Sequence, residues 1–479
     1  MRSPAPQRAA RHERLSARAD GFSGKRIHFM GAGGIGVSAL MELCAARGAI
    51  VSGCDCSSGG QVPALRAKGL HIITGHSAAH AAHCDELVYS AAVEPSHPEV
   101  RAALRAGKAV SVRMHMLGRI ARGTRAICIT GAHGKTTTTW LIANMLIAAG
   151  RDPSVLLGGV ARALGGNVRI GRGAEFVAET DESDNRLHEV VPSIPVLTNI
   201  DNDHLEHYGS IEAIEEAIAR FMGSTNAADP LSVLIGCGDD PRVRRVLARA
   251  SEECRRPFLA YGLAPHCDVR GMNLRAEELR WRFDVLTPSS FWPDVVLPMP
   301  GEHNVLNALA AISAGWHLRL DEEDIRQALA TVERVGRRFE IKGLKRGVRV
   351  IDDYGHHPAE IALTLRAARQ STRKRLGVLF QPHRYTRTAA LMDEFAACFE
   401  AADALFLLPV YAASEEPIPG ADHHALAETI RARGVRVVTA DDRAAAVGML
   451  LQWAEPGDTV VTQGAGDVTR AADELVSRL

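Results

Sequence analysis

The densest chemistry in the chain is Thr130-Gly-Ala-His-Gly-Lys-Thr136. Backbone N–H groups from Gly131 through Ala132, His133 and Gly134 to Lys135 can wrap a phosphate, and the Lys135 ammonium can reach β- and γ-oxygens. The Thr136 hydroxyl can then ligate Mg²⁺, with Thr137 behind it on the opening helix. The loop is shorter than the standard P-loop, because residue 129 is Ile where a leading glycine is expected five residues before Gly134. A strand, Gly-Lys-Thr and a helix still spell a nucleoside triphosphate site. A second glycine-rich turn, Gly31-Ala-Gly33-Gly34-Ile35-Gly36, also follows a strand and opens a helix, and Asp55 stands about 20 residues further on. Its glycines permit a tight turn and a close backbone approach to a diphosphate at a helix N-terminus. Alone it suggests NAD, but the fingerprint does not name the base.

Mg²⁺ takes one or two protein carboxylates together with phosphate and water oxygens. Glu179-Thr-Asp-Glu-Ser-Asp184 and Asp201-Asn-Asp-His204 each follow a predicted strand. If those strands flank the one leading into the phosphate loop, both acidic stretches point at the sheet end where open α/β sheets bind ligands. Further on, Asp352-Asp353-Tyr354-Gly-His356-His-Pro358 and Gln381-Pro-His-Arg384-Tyr-Thr-Arg387 also stand at strand ends. Pro358 opening a helix marks the first as a capping and ligand-contact loop, and the two arginines suit bidentate carboxylate or phosphate recognition.

Nine cysteines, odd in number and scattered, argue against a disulfide framework and for a reducing, cytoplasmic setting. Cys54 and Cys56, followed by His76, His80, His83 and Cys84, invite a zinc reading, but no pair has Cys-x-x-Cys spacing. Scattered thiols and surface histidines are therefore expected there.

To position these groups the chain has 479 residues, room for about three domains. Fifty-six basic against 56 acidic side chains, with 5% aromatics, leave no footprint for nucleic acid, and no apolar run is long enough to span a membrane. Short β-rich runs alternate with helical patterns from Lys25 onward, so the class is α/β with mostly parallel sheets. Strands are predicted at Arg26–Met30, Ala126–Thr130, Phe176–Ala178, Pro195–Asn199 and Leu376–Phe380, and an antiparallel addition around Val269–Val296. Residues 1–22 read as a disordered tail, 23–122 and 335–479 as Rossmann-like domains, and 123–334 as a central P-loop ATPase.

Together the motifs GAGGIG, TGAHGKTTTT, ETDESD, TNIDNDHLEHY, GEHNVLNALAA, GRRFE, DDYGHHPAEI, FQPHRYTRT and PVYAASEEPIPGA resemble the Mur ligases of peptidoglycan synthesis, over a span from about Lys25 to the C-terminus. The resemblance implies three domains that close on their substrates, a monomer–dimer equilibrium, and ATP-dependent ligation of L-alanine to the lactyl carboxylate of UDP-N-acetylmuramate through an acyl phosphate. It implies that Lys135 binds ATP phosphates, that Thr136 and Glu179 hold one Mg²⁺ and His204 a second, and that Mn²⁺ substitutes. Asn304 and Asn307 would contact adenine, Arg338 a phosphate and Asp353 the ribose. Gly33, Gly34, Ile35, Gly36 and Asp55 would seat the UDP diphosphate, with His133 and Asn199 facing the sugar nucleotide. Tyr354, His356, Arg384 and Arg387 would face the amino acid. One departure is that no lysine occurs between His204 and Arg242, where sibling ligases carbamylate one. The alternatives are the recycling ligase that joins a tripeptide to the same sugar nucleotide, an NAD-dependent oxidoreductase, and a non-catalytic nucleotide sensor.

Overall fold

The structure is a computed structural model that describes residues 21–182, 185–202, 208–413 and 415–479. The expected tail through residue 20 and His204 lie outside the described residues. Phe22, assigned to that tail from sequence, instead belongs to the first domain: it is fully buried, with the guanidinium groups of Arg47 and Arg119 over its ring. Burial of the ring together with two cation–π contacts offsets the chain entropy lost in ordering this one residue.

The chain divides into two compact units, residues 1–158, 164–260 and 313–321 in one, and residues 159–163, 261–312 and 322–479 in the other. The first unit opens with a parallel sheet of β1 (Arg26–Met30), β2 (Ile50–Asp55), β3 (His71–Thr74), β4 (Glu86–Tyr89) and β5 (Ala109–Val112), in the order β3-β2-β1-β4-β5. Four of the five β1 residues are buried, as expected of a strand covered on both faces. The order reverses beside β1, so the glycine-rich turn after Met30 stands at the topological switch point.

The same unit continues with β6 (Arg125–Thr130), β7 (Ser154–Ala161, whose last three residues belong to the second unit), β8 (Gly166–Arg169), β9 (Glu175–Glu179), β10 (Ile194–Leu197) and β11 (Leu234–Cys237), ordered β11-β10-β6-β9-β7-β8. β6 pairs in parallel with β9 and with β10, registering Ile129 with Glu179 and Thr130 with Leu197. Both acidic stretches therefore leave the sheet on either side of the phosphate loop, the condition set from sequence. The helix that follows the loop, Lys135–Ala148, carries four consecutive threonines, poor helix formers. Ten of its 14 residues are buried, so packing rather than propensity holds it.

The second unit contains the antiparallel strands β13 (Val269–Glu277), β14 (Arg280–Leu286) and β15 (Phe291–Leu297); β12 (Phe258–Gly262) runs across the division at residue 260. Its other sheet comprises β16 (Glu340–Lys345), β17 (Val348–Asp353), β18 (Leu376–Phe380), β19 (Ala404–Leu407), β20 (Val437–Thr439) and β21 (Thr459–Gln463). The order is β16-β17-β21-β18-β19-β20, parallel except for the antiparallel edge β16. β16 has no counterpart among the sequence-predicted strands, since half-exposed Glu340-Ile-Lys-Gly-Leu-Lys345 lacks the apolar run that marks its neighbours. Asp353 registers with Gln463, and Gln463 with Phe380, so three loops converge at one sheet end.

Candidate active site

The phosphate loop is shaped from three sides. Gly131 has φ +123°, and a Cβ there would collide with Thr198 Oγ1 and the Asn199 backbone. Gly134 is left-handed at φ 82°, which lets the chain turn into the helix with its first amides facing the loop. Asn199 clamps the bend: its Oδ1 accepts from His133 N at 2.9 Å and its Nδ2 donates to His133 O at 3.0 Å. Thr198 Oγ1 donates to the same carbonyl at 2.7 Å, and the His133 ring meets Asp201 at 3.1 Å. The carboxamide of Asn199, expected to face the sugar nucleotide, is engaged by the loop backbone.

Lys135 lies inside this bend. Its Nζ donates to Gly131 O at 2.7 Å, to Ala132 O at 3.3 Å and to Glu182 Oε1 at 2.8 Å. Burial works against the ammonium, but Glu182, then Asp181 and Glu179, outweigh it and hold its pKa above the ordinary lysine value. Lys135 is a fixed cation at neutral pH. Glu182 is itself buried, with Oε2 3.4 Å from Thr130 Oγ1. The sequence showed it only as one of four acids in a loop; its selection requires the fold. Beside it Thr136 Oγ1 donates to Glu179 Oε2 at 2.7 Å, and Gly158 N donates to the same oxygen at 2.9 Å. The predicted pair of hard oxygen donors is thus assembled.

In the other turn, Gly31 N and Ala32 N donate to Cys54 O at 2.9 and 3.0 Å, and Gly33 N donates to Asp55 Oδ2 at 2.8 Å. Asp55, expected to touch the ligand, thereby braces the turn. The amides of Ile35 and Gly36, in the first turn of the helix Ile35–Ala46, have no acceptor within the helix, as the first amides of any helix do, which suits that helix end to an anion. Arg113, absent from the sequence-predicted set, lies where a Cβ on Gly36 would come 3.3 Å from its Nη1, and its Nη2 donates to Asp181 Oδ2 at 3.0 Å. It bridges the diphosphate turn to the acidic stretch of the phosphate-loop sheet, a link 68 residues long in sequence that no local pattern could announce.

In the second unit, Asp353 Oδ1 accepts from Gly355 N, Thr364 Oγ1 and Gln463 Nε2 at 2.8, 3.2 and 2.8 Å, and Oδ2 from Phe339 N at 2.8 Å. Oδ2, with one donor against the three on Oδ1, keeps acceptor capacity for a further hydroxyl. The guanidinium groups of Arg337 and Arg338 lie over the Tyr354 ring, at 5.0 and 5.2 Å. Asn304 and Asn307 are buried together, with Asn307 Nδ2 3.1 Å from Asn304 Oδ1. Tyr354, His356, His383 and Tyr411 form a row of rings 5.4–5.7 Å apart. Arg387 reaches His383 Nδ1 at 3.4 Å, and Arg384 lies 4.0 Å from Glu415. Burial first, then Arg387 and Arg384, push the His383 pKa from 6.5 down to about 4. His383 is therefore a neutral ring beside two cations, a member of this cluster that the sequence reading quoted only inside its motif. A cavity of about 290 Å³ adjoins it, lined by Gln381, Tyr411, Asp442, Arg443 and Asp467 among others.

Residues 26–125 match the description "Mur ligase family, catalytic domain", 129–315 "Mur ligase middle domain" and 337–466 "Mur ligase, glutamate ligase domain". The chain belongs to the Mur ligase family. It is 41% identical to the UDP-N-acetylmuramate–L-alanine ligase of Allorhizobium ampelinum over 95% of this chain and 96% of that one. The ligase of the same name from Solibacter usitatus is also 41% identical, over 96% of each chain. Among solved structures, the UDP-N-acetylmuramate–alanine ligase of Thermotoga maritima matches with TM-score 0.79 and 26% identity, covering 95% of this Mur ligase and 99% of that chain. The murein peptide ligase of Psychrobacter arcticus shares the fold, with TM-score 0.69 and 22% identity over 95% and 98% of the two chains. As a Mur ligase the protein is an ATP-dependent ligase. No helix among its described residues is long and apolar enough to cross a membrane.

Proposed function

We propose that this Mur ligase joins L-alanine to the lactyl carboxylate of UDP-N-acetylmuramate, releasing ADP and phosphate, as a step in peptidoglycan precursor synthesis. What carries the reading is near full-length similarity to relatives bearing that activity in their names, on a chain whose phosphate loop has its lysine, hydroxyl and carboxylate assembled. A carboxylate is a poor electrophile, so it needs activation before an amine can attack. In the first step a lactyl carboxylate oxygen attacks the γ-phosphorus in line, the bond to the β–γ bridging oxygen breaks, and ADP leaves. Lys135 and the amides from Gly131 to Lys135 stabilise the charge spread over the transferring oxygens. In the second step the amine nitrogen attacks the acyl carbon, the bond from that carbon to the phosphate oxygen breaks, phosphate departs and the proton released by the amine passes to solvent.

The Ile35 and Gly36 amides seat the UDP diphosphate, and Arg113, held by Asp181, orients that end of the substrate toward the phosphate loop. Thr136 Oγ1 and Glu179, hard oxygen donors in contact beside the loop, fit Mg²⁺, with His204 proposed for a second ion. Bound there, magnesium would offset phosphate charge. Tyr354, His356, Arg384 and Arg387 receive the amino acid. Phosphate release measured with UDP-N-acetylmuramate, ATP and a panel of amino acids and a tripeptide tests the reading. Release is expected only with all three substrates present and highest with L-alanine; preference for the tripeptide would replace this reading with the recycling ligase.

A further inference from the structure

We propose that His28, Cys54, His80 and Glu99 form a binding site for a divalent transition metal of borderline softness, zinc foremost, inside the first domain. These residues come from β1, β2, the 3₁₀ turn Ala78–His83 and the first turn of the helix Pro98–Arg105. Each offers one ligand atom, and the four atoms all lie within 4.8 Å of one another. His28 Nε2 is 3.3 Å from Cys54 Sγ and 3.1 Å from Glu99 Oε1, which in turn is 3.0 Å from His80 Nδ1 and 3.5 Å from Cys54 Sγ. A tetrahedral ion with bonds of about 2.0–2.3 Å has ligand–ligand edges of about 3.3–3.8 Å, so these atoms stand close to the spacing such an ion imposes.

Chemistry selects the ion. Two imidazoles, a thiol and a carboxylate are a donor set for zinc or its neighbours rather than for Mg²⁺, which prefers oxygen alone. The set is also braced from behind. His28 Nδ1 lies 2.8 Å from Ser52 Oγ, its register partner, a contact that fixes the ring with Nε2 toward the cluster. Ser77 N donates to the second carboxylate oxygen of Glu99 at 3.0 Å. His76, whose Nδ1 is 3.1 Å from Cys54 Sγ, stands ready as a further ligand. His28, Cys54 and Glu99 are almost wholly buried, at 2%, 0% and 0% exposed. Nothing in the proposed reaction uses them. The cluster does touch the site indirectly: the carbonyl of Cys54 accepts the Gly31 and Ala32 amides, so an ion on its sulfur would fix the strand end that carries the diphosphate turn.

Against the expectation of scattered thiols and surface histidines, the fold gathers Cys54 and His80 with His28 and Glu99, while Cys56 and His83 are exposed. Full-length protein, stripped with a chelator and kept reduced by a phosphine, would be titrated with cobalt(II) in the presence of excess Mg²⁺ and ATP. The readout is the thiolate-to-cobalt charge-transfer band, which oxygen ligands at the phosphate loop cannot produce. One equivalent per chain should generate the band and one equivalent of zinc should remove it. Cys54→Ser should abolish it, and Ser52→Ala should weaken cobalt binding about 10–100-fold. A folded wild-type chain with no band, or a band that survives Cys54→Ser, would overturn the proposal. Should Cys54→Ser fail to fold, His80→Gln replaces it: unchanged cobalt affinity would sink the site, and a loss of tenfold or more supports it.

Discussion

Lys135 is half-buried against the buried carboxylate of Glu182, so each determines what the other's removal costs. Lys135→Ala deletes a preorganised charge stabiliser and should lower phosphate release at least about 10²–10³-fold. It also strands a buried carboxylate, which typically costs about 3–5 kcal/mol of stability. Lys135→Ala combined with Glu182→Gln should recover much of the stability in a denaturant titration and none of the activity; a double variant with restored turnover would remove Lys135 from the chemistry. His383 makes a pH prediction. Its folded pKa of about 4 lies below the ordinary 6.5, so the unfolded chain takes up the proton first as pH falls. Stability contributed at neutral pH should therefore decline between about 6.5 and about 4. His383→Gln should flatten that part of a stability-against-pH curve, and an unaltered slope would contradict the burial argument.

At the scale of elements, the phosphate loop depends on the segment after β10 as much as on its own glycines. Asn199→Ala would take the Oδ1 acceptor from the His133 N–H and leave the His133 C=O to Thr198 Oγ1, about 1–3 kcal/mol of lost satisfaction within the loop. The expected outcome is a KM for ATP raised at least tenfold with a smaller change for the sugar nucleotide; the opposite pattern would support the substrate-facing role expected from sequence. Legibility in the sequence follows the same division. Arg26–Met30, Gly131–Lys135 and Leu376–Phe380 could be read because apolar runs and glycine turns are local signals. Glu182, Arg113 and the cluster of His28 with Glu99 could not, since their partners arrive through strand order and register. β16 was missed for the converse reason: its residues are half exposed, and only pairing with β17 makes them a strand.

Across the whole molecule, separate hydrophobic cores should not all melt in one step, although β7 and β12 belong to both compact units. One core gathers Phe22, Phe29, Phe176 and Phe221 among others, and another gathers Ile351, Phe380, Phe395 and Phe399. Calorimetry should resolve more than one transition. UDP-N-acetylmuramate at about 100 times its Kd should stabilise the unit that holds Gly33–Gly36 by about 2.7 kcal/mol and leave the other transition in place. A single transition that moves as a whole would deny the units their independence. The cysteines offer a practical consequence. All nine are free, seven are buried and Cys254 is partly covered, which leaves Cys56 as the exposed thiol, directly after the aspartate that braces the diphosphate turn. Its exposure makes Cys56 the thiol a maleimide dye should reach first; slight desolvation and neighbouring Asp55 raise its pKa and slow the reaction, so mildly alkaline buffer should speed labelling. The chain thus carries a natural attachment point for a fluorophore, one that would turn sugar-nucleotide occupancy into an optical signal without any engineered residue.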